Sequence, residues 1–186
     1  MADNRREKIH TRNISISTYD MGDDTVMVEG ILRDERLRPT YSLTANETFQ
    51  PGIIHDLKIS LTVRGKDLVI EDVNVEMMEV PSKECKKTRE SLRPLIGHRI
   101  ASGFTLWVKN TFGGPRGCTH LNALLLAMAP AVVQGYWVLK ASKPISLGSM
   151  GDLPDASYLV DTCWVWRKDG PLVKKMADML QEMEGK

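Results

Sequence analysis

The order of patterns along the chain predicts an α+β fold, a small antiparallel sheet packed by C-terminal helices. Up to about residue 77, apolar and polar residues alternate with period two, the mark of half-buried strands. Beyond residue 82, apolar residues recur three and four apart, the mark of helices. Asp20-Met-Gly-Asp-Asp24 and Arg64-Gly-Lys-Asp67 break the strand region where hairpins would turn. The 186 residues are read as one domain, 1–186: mainly strands over 11–77, helices over 82–140, and a C-terminal element and helix over 157–184.

Residues 1–10 are polar and basic and read as a solvated N-terminus. In Thr11 to Tyr19, Ile14 and Ile16 alternate with Asn13, Ser15 and Ser17. Val26, Val28, Gly30 and Ile31-Leu32 form the returning strand. Residues 35–54, with Pro39, Pro51 and Gly52, are expected to be mostly loop. Leu57, Ile59, Leu61 and Val63 alternate, and Leu68, Ile70, Val73, Val75 and Met77 return beside them. The phase of that last run changes at Glu71-Asp72, which predicts a β-bulge.

Ser82 after Pro81 reads as an N-cap, with Cys85, Arg89, Leu92 and Ile96 on one helical face and Gly97 as a C-cap. A second helix is predicted from Gly103 to Thr111, with Phe104, Val108 and Phe112 four apart; Gly113-Gly-Pro-Arg-Gly117 stops it. A third starts at or beside Cys118 and buries Leu121, Leu124, Leu125, Met128 and Val132; Pro130 is expected to kink it or end its first half. Residues 142–157 read as loop, and Tyr158 to Trp166 fits strand or helix equally. A last helix from Pro171 carries Leu172, Met176, Met179, Leu180 and Met183 on one stripe, as core or as a partner surface.

Composition narrows the function. The formal net charge of +1 provides no global field for nucleic acid or an anionic membrane. The longest apolar run, Leu121 to Val133, is too short to span a bilayer. The start lacks the apolar segment of a secretory signal, so the expectation is a cytoplasmic protein with three reduced cysteines. Walker, dinucleotide-glycine, Gly-x-Ser-x-Gly, His-Glu-x-x-His and Cys-x-x-Cys motifs are all missing from the sequence.

Gly-Gly-Pro-Arg-Gly-Cys-Thr-His-Leu, residues 113–121, is the most informative stretch. Cys118 would stand at a helix N-terminus, where the helix dipole favours a thiolate, as a metal ligand or a nucleophile requires. Cys118 as a small buried apolar residue fits the same pattern. Residues two apart in a helix point about 200° apart, so Cys118 and His120 share a centre only if Cys118 lies at the cap. Cys85 repeats the helix-start placement, and His55-Asp56 opens a strand with a potential imidazole ligand and a carboxylate to ligate or orient it. Cys163 reads as core, and the basic run Lys83 to Arg99 as a solvated face or a docking site for an acidic partner.

Together these stretches resemble a family of bacterial proteins, domain of unknown function 2889. The matching segments include His10-Thr-Arg12, Gly30 with Leu32-Arg-Asp34, His55-Asp56, Ile70-Glu-Asp72, Cys85, Leu95-Ile-Gly97, Gly103-Phe104, Gly113 to Leu121 and Asp161-Thr-Cys163. The resemblance implies no activity, but it groups Cys85, Cys118, His120 and His55. A more distant resemblance, in order of elements, is to iron–sulfur scaffold proteins of the IscU/NifU type. It implies a metal site reached by Asp56 before a hairpin, Cys85 after it and Cys118-Thr-His120 at a later helix.

The leading expectation is therefore a metal- or cluster-binding accessory protein, with Cys85, Cys118, His55, His120 and Asp56 as ligands for zinc or an iron–sulfur cluster. The alternatives are an enzyme with Cys118 as nucleophile and His120 or His55 as acid/base, and an adaptor that binds a protein partner without chemistry.

Overall fold

The computed structural model describes residues 6–142 and 159–184. Four long strands form one antiparallel sheet: β1 (His10–Asp20), β2 (Thr25–Arg36), β5 (Gly52–Arg64) and β6 (Val69–Glu79), in the order β1-β2-β5-β6. Between β2 and β5, residues read as loop contain a small hairpin of β3 (Thr40–Ser42) and β4 (Glu47–Phe49). These strands are only three residues long and largely exposed, so they leave no apolar alternation to read. The expected bulge is present: Thr62 pairs with Asp72 and Val63 with Ile70, leaving Glu71 over.

One sheet face is apolar. Val26, Val28 and Leu32 of β2, Leu57, Ile59, Leu61 and Val63 of β5, and Ile70 and Val75 of β6 are buried there. Helix α2 (Thr119–Lys140) lies on this face, mainly over β2 and β1. Its stripe Leu121, Leu124, Leu125, Met128 and Val132 is fully buried. Burial of each large side chain contributes about 1.5–3 kcal/mol relative to exposure. Two glycines let helix and sheet approach closely. A Cβ on Gly30 would lie 2.5 Å from Met128 Sδ, and one on Gly135 2.3 Å from Thr18 Cγ2. Pro130 does not end the helix, which continues to Lys140 with Pro130 on its exposed side. At 22 residues α2 is long and apolar enough to cross a membrane, and in this fold its apolar stripe packs on the sheet.

The segment after Ser82 is helical but tighter than expected: a 3-10 helix, Lys83–Leu95, capped by the Ser82 side chain on the Glu84 amide. Its inward positions are Cys85, Thr88, Ser91, Leu92 and Leu95. Ile96 is consequently exposed, and Arg89 instead donates to the Val75 carbonyl of β6. Helix α1 (Phe104–Phe112) buries Phe104, Val108 and Phe112. Residues 159–166 form turns, neither strand nor helix, and Cys163 is exposed rather than core. Helix α3 spans Pro171–Glu184, with Met179 exposed. Apart from Ser142, the expected loop at 142–157 lies outside the described residues.

Candidate metal centre

Side chains on a strand alternate between faces, so a charged residue in phase with a buried apolar series must point into the protein. Asp34 is in phase with Val26, Val28, Gly30 and Leu32. His55 is in phase with Leu57, Ile59, Leu61 and Val63, and Arg12, on the edge strand, shares its face with the exposed Ile14 and the half-buried Ile16. The register aligns the three, Arg12 opposite Asp34 and Asp34 opposite His55. A polar row thus crosses three adjacent strands at one end of the apolar face. The N-terminus of α2 closes over it.

Asp34 is the hub, with its side chain 3% exposed. Arg12 donates from Nε to Oδ1 at 2.6 Å and from Nη2 to Oδ2 at 2.7 Å. His55 Nδ1 lies 3.0 Å from Oδ2. His10 Nε2 is 3.7 Å from Oδ1 and His120 Nε2 is 3.7 Å from Oδ2. The rings of His55 and His120 stack with centroids 3.7 Å apart. On the far side of His120, Nδ1 faces Cys118 Sγ at 3.8 Å. Cys118 caps α2 in extended conformation, outside regular helix, which is how residues two apart come to face each other.

The electrostatics follow from this packing. The hydrogen bonds from Arg12 hold the Asp34 carboxyl below its ordinary range despite burial. Burial pushes the pKa of His55 down, partly offset by Asp34. Burial and the neighbouring His55 push that of His120 down as well. Both shifts favour the neutral imidazole, the form that ligates a metal.

Asp34, His55 and His120 each offer a ligand atom within 4.8 Å of the others, the one such group among the described residues. Among the residues read from the sequence, the structure gathers His55 and His120, with Cys118 alongside. Asp56 is out of phase with the buried series of β5 and points to the opposite sheet face. Cys85 lies half-buried in the first turn of the 3-10 helix along β6 and does not join the group around Asp34. Asp34, Arg12 and His10 carried no role in the sequence reading, although inward phase marks Asp34 and Arg12.

A family model described as "Protein of unknown function (DUF2889)" matches residues 10–134, which include every residue of this centre. Ribosome-binding factor A of Corynebacterium glutamicum (strain R) is 26% identical over 126 residues, 67% of this chain and 76% of that protein. The same protein from strain ATCC 13032 aligns equally. No solved structure matches the chain.

Proposed function

The chain belongs to the DUF2889 family of proteins of unknown function, a family defined without an activity, and from its inward polar row we propose that it binds a divalent transition metal of the zinc class. The proposed donors are His120 and Cys118, with His55 joining them through a ring movement, since Cys118 lies outside the group whose donor atoms are all within 4.8 Å of one another. The observation that carries the reading is the 3.8 Å between Cys118 Sγ and His120 Nδ1. With bonds of about 2.3 Å to sulfur and about 2.1 Å to nitrogen, a thiolate and an imidazole on one tetrahedral zinc ion stand about 3.6 Å apart. Asp34 serves as the orienting carboxylate rather than a ligand: Oδ1 already accepts from Arg12, and Oδ2 from Arg12 and His55. One sulfur among imidazoles suits zinc, whereas iron–sulfur clusters need at least two thiolates. Three protein donors leave a fourth position for water or substrate, the pattern of catalytic zinc sites.

Zinc titration against a chelating indicator tests this. One equivalent should bind, with loss in Cys118→Ser, His120→Ala and His55→Ala but not in Cys163→Ser. A folded wild-type protein that takes up no zinc, with Cys118 instead alkylated rapidly by iodoacetamide, would favour a nucleophilic thiol paired with His120.

A second reading comes from the alignment with ribosome-binding factor A, which favours an accessory protein docking on a ribosomal particle. The exposed Lys83 and Lys86 on the 3-10 helix offer a basic contact for it. Salt-sensitive co-sedimentation with ribosomal subunits is the expected result; free protein at the top of a low-salt gradient would end this reading.

A further inference from the structure

We infer that Asp34, clamped by Arg12, fixes opposite tautomers in the stacked imidazole pair, so that the metal is taken by Nε2 of His55 and Nδ1 of His120. The inference rests on the metal-centre reading for its consequence, but its geometric content is independent of it. An ionised carboxylate only accepts hydrogen bonds. Arg12 donates to both oxygens of Asp34, so that carboxylate stays ionised and its plane is fixed. At 3.0 Å from Oδ2, His55 Nδ1 must carry the proton. The lone pair of His55 is then on Nε2.

His120 presents the other nitrogen to the same oxygen. Its Nε2 is 3.7 Å from Oδ2, where a proton is attracted and a lone pair is repelled. Its own lone pair is therefore on Nδ1, the atom facing Cys118 Sγ. One carboxylate thus holds the N–H proton of two stacked rings on different nitrogens and leaves one lone pair on each. The third imidazole near Asp34, His10, approaches the opposite oxygen, Oδ1, and so does not compete for Oδ2. Asp34 and Arg12 act as positioning residues: they touch no metal in this scheme, yet they select which atoms bind it.

Long-range proton–nitrogen correlation spectra of the 15N-labelled, metal-free full chain at about pH 8, where imidazoles are neutral, read the tautomers directly. The expected result is Nδ1–H for His55 and Nε2–H for His120, with zinc then shifting Nε2 of the first and Nδ1 of the second. The same tautomer on both rings, or the reverse assignment, would overturn the inference. In Asp34→Asn, whose amide both donates and accepts, the tautomers should become mixed and zinc affinity should fall about 10- to 100-fold. Unchanged tautomers in that folded variant would also overturn it. Arg12→Lys keeps the charge but loses the fork, and should weaken zinc several-fold with the tautomers kept; unaltered affinity would remove Arg12 from the scheme. Wild-type protein with the expected tautomers and no zinc uptake would defeat the metal reading alone. Zinc uptake with matching tautomers would defeat this inference alone.

Discussion

Helix α2 meets strand β2 at both ends, and at each end a carboxylate reaches up to it, Asp24 from the turn before β2 and Asp34 from β2 itself. At the C-terminal end Asp24 accepts from Tyr136 at 2.8 and 2.9 Å and from Lys140 at 2.8 Å. That side chain is 40% exposed, and its partners only donate to it. At the N-terminal end Asp34 is buried and binds a guanidinium and an imidazole, with a second imidazole and a thiol beyond. The first arrangement fastens a helix. In the second, the imidazoles keep nitrogen lone pairs, which is what ligand chemistry needs. Charge pairing alone does not separate a fastener from a site; leftover donor atoms do.

The largest effect should come from loosening both ends together. Leu125, fully buried in the first half of the helix, should cost about 2–5 kcal/mol as Leu125→Ala, measured by denaturant unfolding. A loss under about 1 kcal/mol would show that the helix is not held by its stripe. Next, Asp24→Asn should leave zinc binding unchanged, while Asp34→Asn weakens it by about 1.4–2.8 kcal/mol, the equivalent of a 10- to 100-fold change. Equal effects from the two would erase the distinction between the ends. In stability, Asp24→Asn should cost less than about 1 kcal/mol, because the side chain at that position is solvent-accessible and asparagine tolerates the φ of 59° found there.

Acid should separate the ends by order of failure. The pKa values of His55 and His120 are depressed by burial, so their neutral forms are favoured in the fold. Their contribution is complete above the ordinary imidazole value of about 6.5 and is lost as pH falls through the lower folded values. At the other end burial raises the pKa of Asp24, but Lys140 and Tyr136 lower it more, for a net depression. Its contribution persists above the ordinary aspartate value of about 3.9 and is lost below it. Melting temperatures should therefore drop first below about pH 6.5 in wild type, a step that His55→Phe should reduce. An unchanged step would place the titration elsewhere.

Much of the fold was legible because it is local. Period-two runs marked the four long strands, the phase slip marked the bulge at Glu71, and Ser82 and Cys118 marked two helix starts. The centre was legible only by halves. His55, Cys118 and His120 stood out by residue type and motif, but Asp34 and Arg12 look like ordinary strand-end charges until the register lines them up. Inward phase was the available signal, and it also sets Asp56 aside. The 3-10 geometry of Lys83–Leu95 was not legible, because helical periodicity of three or of 3.6 fits so short an apolar pattern.

The polar row also constrains the order of events as the chain folds. Arg12 and His120 lie more than a hundred positions apart, and the hub joining them sits on a third segment. Loop closure over that distance is entropically costly and is offset only when the sheet and α2 have docked. A chain emerging from synthesis therefore holds Arg12, Asp34 and His55 long before it holds the thiol and second imidazole. Metal capture would then report completed folding instead of seeding it, so zinc should slow unfolding far more than it speeds refolding.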